Sequence, residues 1–308
     1  MMTTTPGATP SAQAVQNAMA SARAIRPAHA ELMTAFEKPL AIRAGLSDIF
    51  RGDAIPLPDV RPDRLAQGAA VLMDDDLLRL APWLLQAARE LLPVLESSFP
   101  NGDAFHAIAT SVATGEFALR EKVRALLDGD SATISQSAEA IGVQDGFLVL
   151  ALQMIAGAAI AGLAEQLRNE LAHTNWSYGY CPVCASAPGL STLSRKDDVQ
   201  VEALIGGGGK KYLHCGLCGY NWRFKRNACP GCSNDDPHSR EVLYAEKAQH
   251  ERIEACSKCN GYLLCVDLRE YEQDPNFLAH PLALVHLDIL AQGKGYAPLS
   301  RCAWNSFS

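Results

Sequence analysis

The sequence predicts an α+β chain: an N-terminal all-α domain, two small cysteine-rich β modules and a C-terminal helix. Three observations carry this prediction. All ten cysteines lie beyond residue 174. Residues 1–174 hold 13 Lys+Arg against 20 Asp+Glu, whereas residues 175–308 hold 14 of each. Apolar residues recur at helical spacing before that break and in short alternating runs after it. A chain of 308 residues that is 48% hydrophobic and 20% charged has the length for about two globular domains and needs no staples to fold. Its formal charge of −7 speaks against a polybasic nucleic-acid or membrane partner.

Residues 1–20 are rich in Thr, Ser, Pro and Ala and are expected to form a flexible tail. Residues 21–174 read as the helical domain. Leu32, Met33, Phe36, Leu40, Leu46 and Phe50 fall at helical spacing, with Pro39 expected to break or kink the run. Pro56 and Pro58 mark a loop. Asp74, Asp75 and Asp76 open a helix, because carboxylates favour its positive end. The 19 residues from Gly146 to Ala164 carry no charge and just reach membrane-spanning length. Gln153 in mid-segment and the many alanines and glycines favour a buried core helix, and no membrane insertion is expected. Trp176, Tyr178 and Tyr180 alternate, as in a strand. Residues 175–228 and 229–274 are then two strand-and-turn modules, and 275–308 a C-terminal helix, from His280 to about Ala291, with a tail.

Eight cysteines form four CxxC pairs: Cys181/Cys184, Cys215/Cys218, Cys229/Cys232 and Cys256/Cys259. A CxxC turn presents two thiolates to one ion, and two such turns complete a tetrahedral site. Sequential pairing gives site 1 from Cys181, Cys184, Cys215 and Cys218, and site 2 from Cys229, Cys232, Cys256 and Cys259. It minimises loop closure relative to an interleaved arrangement, which spacing alone leaves open. Spacing also leaves iron and zinc open, because both accept tetrahedral thiolate. Cys265, in an apolar run, reads as a small core residue, and Cys302 as an exposed thiol. His214 reads as a surface residue or one behind the ligands, and neither His238 nor His250 is needed as a ligand.

Other motifs carry less. Gly206–Gly209 with Lys210 and Lys211 lacks the phosphate-loop spacing and reads as a mobile hairpin tip. Trp222 to Arg226 mixes aromatic and basic residues as single-strand nucleic-acid surfaces do, but alternation along a strand accounts for it. No catalytic residues are found: there is no nucleophile elbow, no HExxH and no paired carboxylates in context. The chain therefore reads as no enzyme. Residues Met1 to Ala30 lack an apolar signal core, and a cytoplasmic location is expected.

Tyr180-Cys181-Pro182-Val183-Cys184, the run Lys211 to Cys218 with Trp222 beyond it, and Glu254 to Leu263 resemble the FdhE family of formate dehydrogenase accessory proteins. The ending with Gly295, Tyr296, Ala297, Asn305 and Phe307 is similar too. Ala185 departs from the family, standing where a glycine commonly follows the first knuckle. The resemblance implies rubredoxin/zinc-ribbon-like modules holding two iron ions, with zinc the alternative. It further implies a cytoplasmic maturation factor that binds the formate dehydrogenase catalytic subunit before export. Exposed aromatics such as Trp222 are candidate contacts for that client. A rubredoxin-like one-electron carrier acting on the same client is the alternative function. A zinc-ribbon nucleic-acid binder is a third, opposed by the charge balance.

Overall fold

The computed structural model of the chain describes residues 11–195, 209–245, 248–269, 271 and 275–306. Its N-terminal part is helical: α1 (Ala12–Ile25), α2 (Ala30–Gly52), α3 (Pro62–Ala66), α4 (Asp74–Arg79), α5 (Ala81–Ser98), α6 (Asp103–Thr114), α7 (Leu119–Asp128), α8 (Ser131–Ala140), α9 (Asp145–Gln166) and α10 (Arg168–Leu171).

The helix α9 is apolar on every side, which demands burial on every side. It is the axial helix of the bundle, with α2, α5, α6, α7 and α8 packed around it. It is long and apolar enough to cross a membrane, but 83% of that stretch is buried within the protein. Gly162 brings α2 close, since a Cβ there would lie 2.5 Å from the Cβ of Phe50. In α5 the burial of Leu84, Ala87, Ala88, Leu91, Leu92 and Leu95 follows the helical period. The opening of α4 is capped as its acidic run implies: Asp76 accepts from the Met73 N–H at 2.9 Å.

Two expectations are corrected here. The tail expected over residues 1–20 gives way to α1 across its described part. Ser11 caps that helix, and Val15 and Met19 are completely buried. Their spacing of four places them on one face, which docks on α2. Pro39 does not break α2, which runs from Ala30 through Gly52. Burial of Phe36, Leu40, Ala41 and Ala44 around it offsets the missing hydrogen bond.

Among the described residues seven strands follow: β1 (Pro188–Leu193), β2 (Lys211–Cys215), β3 (Asn221–Phe224), β4 (Arg240–Tyr244), β5 (Glu251–Cys256), β6 (Gly261–Asp267) and, after α11 (His280–Ala283) and α12 (Val285–Gly293), β7 (Ala297–Pro298). They form one sheet in the order β3-β2-β1-β6-β5-β4, with β7 beside the start of β6. The two modules are thus joined through the parallel pair of β1 and β6, where Ser191 faces Cys265. Trp176, Tyr178 and Tyr180 form no strand. Their rings pack on one another at 4.9–5.4 Å between centroids, and Tyr178 and Tyr180 donate to the carbonyls of Ala66 and Gly68. The run Gly206–Gly208 lies outside the described residues.

Hydrophobic burial does not respect the change in composition. One core extends from Val15 through α9 into Cys181, Leu213, Leu217 and Trp222. A second gathers Ile253, Ala255, Tyr262, Leu264 and Val266 against Leu284, Leu287 and Ala291. The first module therefore shares its core with the helices, and the second with α12.

Candidate metal centres

Each CxxC turn is followed at once by a residue in the left-handed region: Ala185 (φ 60°), Gly219 (φ 71°), Ser233 (φ 58°) and Asn260 (φ 54°). That conformation reverses the chain, so that the N–H of Ala185, Gly219 and Ser233 donates back to the carbonyl of Cys181, Cys215 and Cys229. A glycine meets this demand without strain only at Gly219. The first turn achieves it with Ala185, at the position where the sequence departs from the FdhE pattern.

The structure groups the pairs sequentially. Cys181, Cys184, Cys215 and Cys218 have their sulfurs within 4.8 Å of one another, and so do Cys229, Cys232, Cys256 and Cys259. In the first cluster Cys181 to Cys218 and Cys184 to Cys215 are 3.6 Å, and Cys184 to Cys218 is 3.7 Å. In the second, Cys229 to Cys259 is 3.7 Å and Cys232 to Cys256 is 3.8 Å. A tetrahedron of sulfurs at about 2.3 Å from a central ion has edges of about 3.8 Å, so both clusters fit one tetrahedral ion each. The donor set is all sulfur, which suits iron or zinc and not hard cations.

Backbone N–H groups point at these sulfurs: Val183 at Cys181, and Leu217 and Cys218 at Cys215, each at 3.4 Å. Without a cation the cluster cannot ionise fully. Hydrogen bonds from Cys181, Cys215 and Cys218 hold the Cys184 thiol well down, while burial pushes Cys181 and Cys218 well up. Four thiolates at this depth require a compensating positive charge. In the second cluster burial works upward on Cys256, but the amides of Cys259 and Lys258 and the neighbouring thiols outweigh it and bring it to about 7.

The helices reach into the first cluster. Arg43 of α2 is 6% exposed and donates Nη2 to the Leu217 carbonyl inside the second turn. Burial lowers its pKa to about 10 against the raising effect of Cys215 and Cys218, so it remains a cation at neutral pH. Val71 and Leu72 donate to the carbonyls of Pro182 and Val183 inside the first turn, at 2.8 and 2.9 Å. Arg168 lies 5.5 Å over the Tyr220 ring, is bridged to Glu165, and senses Cys218. No signal near the cysteines announces these residues, since Arg43 and Leu217 lie 174 positions apart.

The remaining expectations meet mixed outcomes. His214 is not at the surface. Its Nε2 pairs with the Thr192 hydroxyl at 3.0 Å and its ring stacks on Phe277 at 3.7 Å. Burial first, then Arg168, holds its pKa near 3. Trp222 is 5% exposed and donates its indole N–H to the Tyr178 carbonyl, so it cannot serve as an exposed contact. Cys265 is buried and burial pushes its thiol up to about 12. Cys302 is half-buried rather than exposed, and burial also pushes its thiol up.

No family model matches the chain. Curated relatives do. The "Protein FdhE homolog" of Aquifex aeolicus is 30% identical over 159 residues, covering 50% of this chain and 50% of that protein. That of Haemophilus influenzae is 35% identical over 120 residues, covering 38% and 35%. That of Edwardsiella ictaluri is 29% identical over 213 residues, covering 69% and 58%. The chain thus spans about half the length of the curated relatives it matches. The crystal structure of the FdhE protein from Pseudomonas aeruginosa has the same fold, with a TM-score of 0.62 at 20% identity over 97% of this chain and 98% of that one.

Fold and site together define an α+β protein in which a helical bundle carries a sheet with two four-cysteine clusters. The particular fold is that of the Pseudomonas aeruginosa FdhE protein, and over part of its length the chain is similar in sequence to curated FdhE proteins.

Proposed function

We propose that this chain is a cytoplasmic accessory protein for formate dehydrogenase. It binds the catalytic subunit before export and itself catalyses no reaction. The two tetrahedral arrays of four sulfurs carry this reading, together with the similarity to FdhE proteins. On this reading all eight cysteines are ligands of two ions, iron rather than zinc. A bound iron supplies a one-electron couple, and the exposed position of Cys259 favours the second reading, electron exchange with the same client. The boundaries at 174/175 and 228/229 then separate a helical domain from two metal modules. Eight thiolates around two divalent ions leave the cysteine-rich half net acidic, which favours a protein client over nucleic acid.

The test is purification without air, followed by elemental analysis, a visible spectrum and mixing with purified formate dehydrogenase catalytic subunit. Two irons per chain, a red oxidised form and co-elution with the subunit are the expected results. A colourless zinc protein refutes the iron reading. Failure to retain the subunit at micromolar concentrations refutes the accessory reading.

A further inference from the structure

The two clusters differ in what seals them. Cys181, Cys184, Cys215 and Cys218 are all at most 5% exposed. Their turns are clamped from outside the module, by Val71 and Leu72 on the first and by Arg43 on the second. The guanidinium of Arg43 occupies the notch left by Gly157 on α9, where a Cβ would lie 2.5 Å from its Cζ and Nη2. In the second cluster Cys259 is exposed and Cys232 only half-buried. Its cover comes from Leu299 near the C-terminus, whose Cδ2 lies only 2.6–2.7 Å from where a Cβ on Gly231 or Gly261 would be.

Exchange at a tetrathiolate begins when an incoming ligand reaches the ion or a sulfur. A sulfur sealed from water must first wait for the structure to open locally. At the first cluster that opening parts three hydrogen bonds, one to Arg43 of α2 and two to Val71 and Leu72 in the loop before α4. At the second, Cys259 already meets solvent.

We infer that the two clusters have different tasks. The first is a structural centre that locks the first module onto the helices. The second is the exchange centre, through which an ion enters or leaves and at which an outside reactant meets a sulfur. This rests on the reading of both clusters as metal sites, and it assigns the working end of the protein to the turn carrying Cys259.

The test uses the full chain loaded with zinc and challenged with excess of the chromophoric chelator 4-(2-pyridylazo)resorcinol. Two phases of equal amplitude are expected, the slow one about 100-fold slower, as the loss of three hydrogen bonds implies. Cys259→Ser removes the fast phase and retains the slow one. Arg43→Met accelerates the slow phase and leaves the fast one alone. If either variant fails to fold, a brief pulse of N-ethylmaleimide on the unaltered zinc-loaded protein decides the matter. Among the eight cysteines of the two clusters, peptide mapping then finds Cys259 labelled first and the four of the first cluster last. Release of both ions in a single phase, or first labelling at Cys181, Cys184, Cys215 or Cys218, overturns the division. A chain that takes up no zinc at all instead overturns the metal-site reading beneath it.

Discussion

Gly157→Ala tests the junction between α9 and Arg43. By helix propensity alone, alanine in the middle of α9 gains about 0.8–1 kcal/mol over glycine. The structure reverses the sign. The new Cβ would lie 2.5 Å from Cζ and Nη2 of Arg43 and 2.7 Å from Nε, all atoms of one rigid plane. The guanidinium is buried and committed to the Leu217 carbonyl, so it has little room to retreat. Overpacking of this kind costs about 1–3 kcal/mol. Displacing a charged hydrogen bond puts a further ~1.5–3 kcal/mol at risk. The net expectation is a destabilisation of about 2 kcal/mol after the propensity gain. Urea unfolding followed by far-UV circular dichroism measures it, in the parent and in an Arg43→Met background. Methionine lacks the planar head, so in that background Gly157→Ala is neutral or mildly stabilising. The cycle then shows a coupling of about 2–3 kcal/mol. Stabilisation by Gly157→Ala in the parent, or the same cost in both backgrounds, refutes the packing argument.

Two further tests address buried charged groups that are not cluster ligands. Burial raises the Asp288 carboxyl from its ordinary 3.8 to about 7, against the lowering effect of the Tyr262 hydroxyl, which donates to it at 2.6 Å. The folded state therefore binds more protons than the unfolded between about pH 4 and 7, and this contribution to stability is lost as the pH rises through that window. His214, His280 and His286, held by burial at about 3 to 4, act in the opposite sense: their contribution is lost as the pH falls below about 6.5. The difference between Asp288→Asn and the parent isolates the carboxyl. Denaturant midpoints are expected to coincide near pH 4 and to favour the asparagine by a few kcal/mol at pH 8, whereas a difference that does not vary with pH contradicts the assignment. Lys211 has a fully buried side chain paired with Glu254. Lys211→Met strands that carboxylate and costs about 3–5 kcal/mol, most of which Glu254→Gln added to it restores; a double variant as unstable as the single one shows that the pair is not the cause.

Much of the molecule was legible because its signals are local. The four CxxC pairs, the all-apolar run of α9 and the acidic start of α4 each lie within a few residues of what they specify. Periodicity and ligand spacing act over one or two turns of chain, which is why these elements stand where they were expected. The tail and the aromatic triplet were misread for a related reason. Val15 and Met19 form too sparse a pattern to announce a helix without α2 to bury them, and Trp176, Tyr178 and Tyr180 alternate like a strand yet close on one another and on the loop at Ala66 and Gly68.

The sequence alone determined the α+β class, the eight paired cysteines and the buried character of α9. Only the tertiary structure decided that β1 lies beside β6 to make one sheet, and that Arg43, Val71 and Leu72 clamp the first cluster while Cys259 leaves the second open. The physical reason is range. Which sulfurs can meet in tetrahedral geometry follows from short turns, but which cluster becomes sealed depends on where a distant helix comes to rest, and that follows from burial of the whole core rather than from any motif.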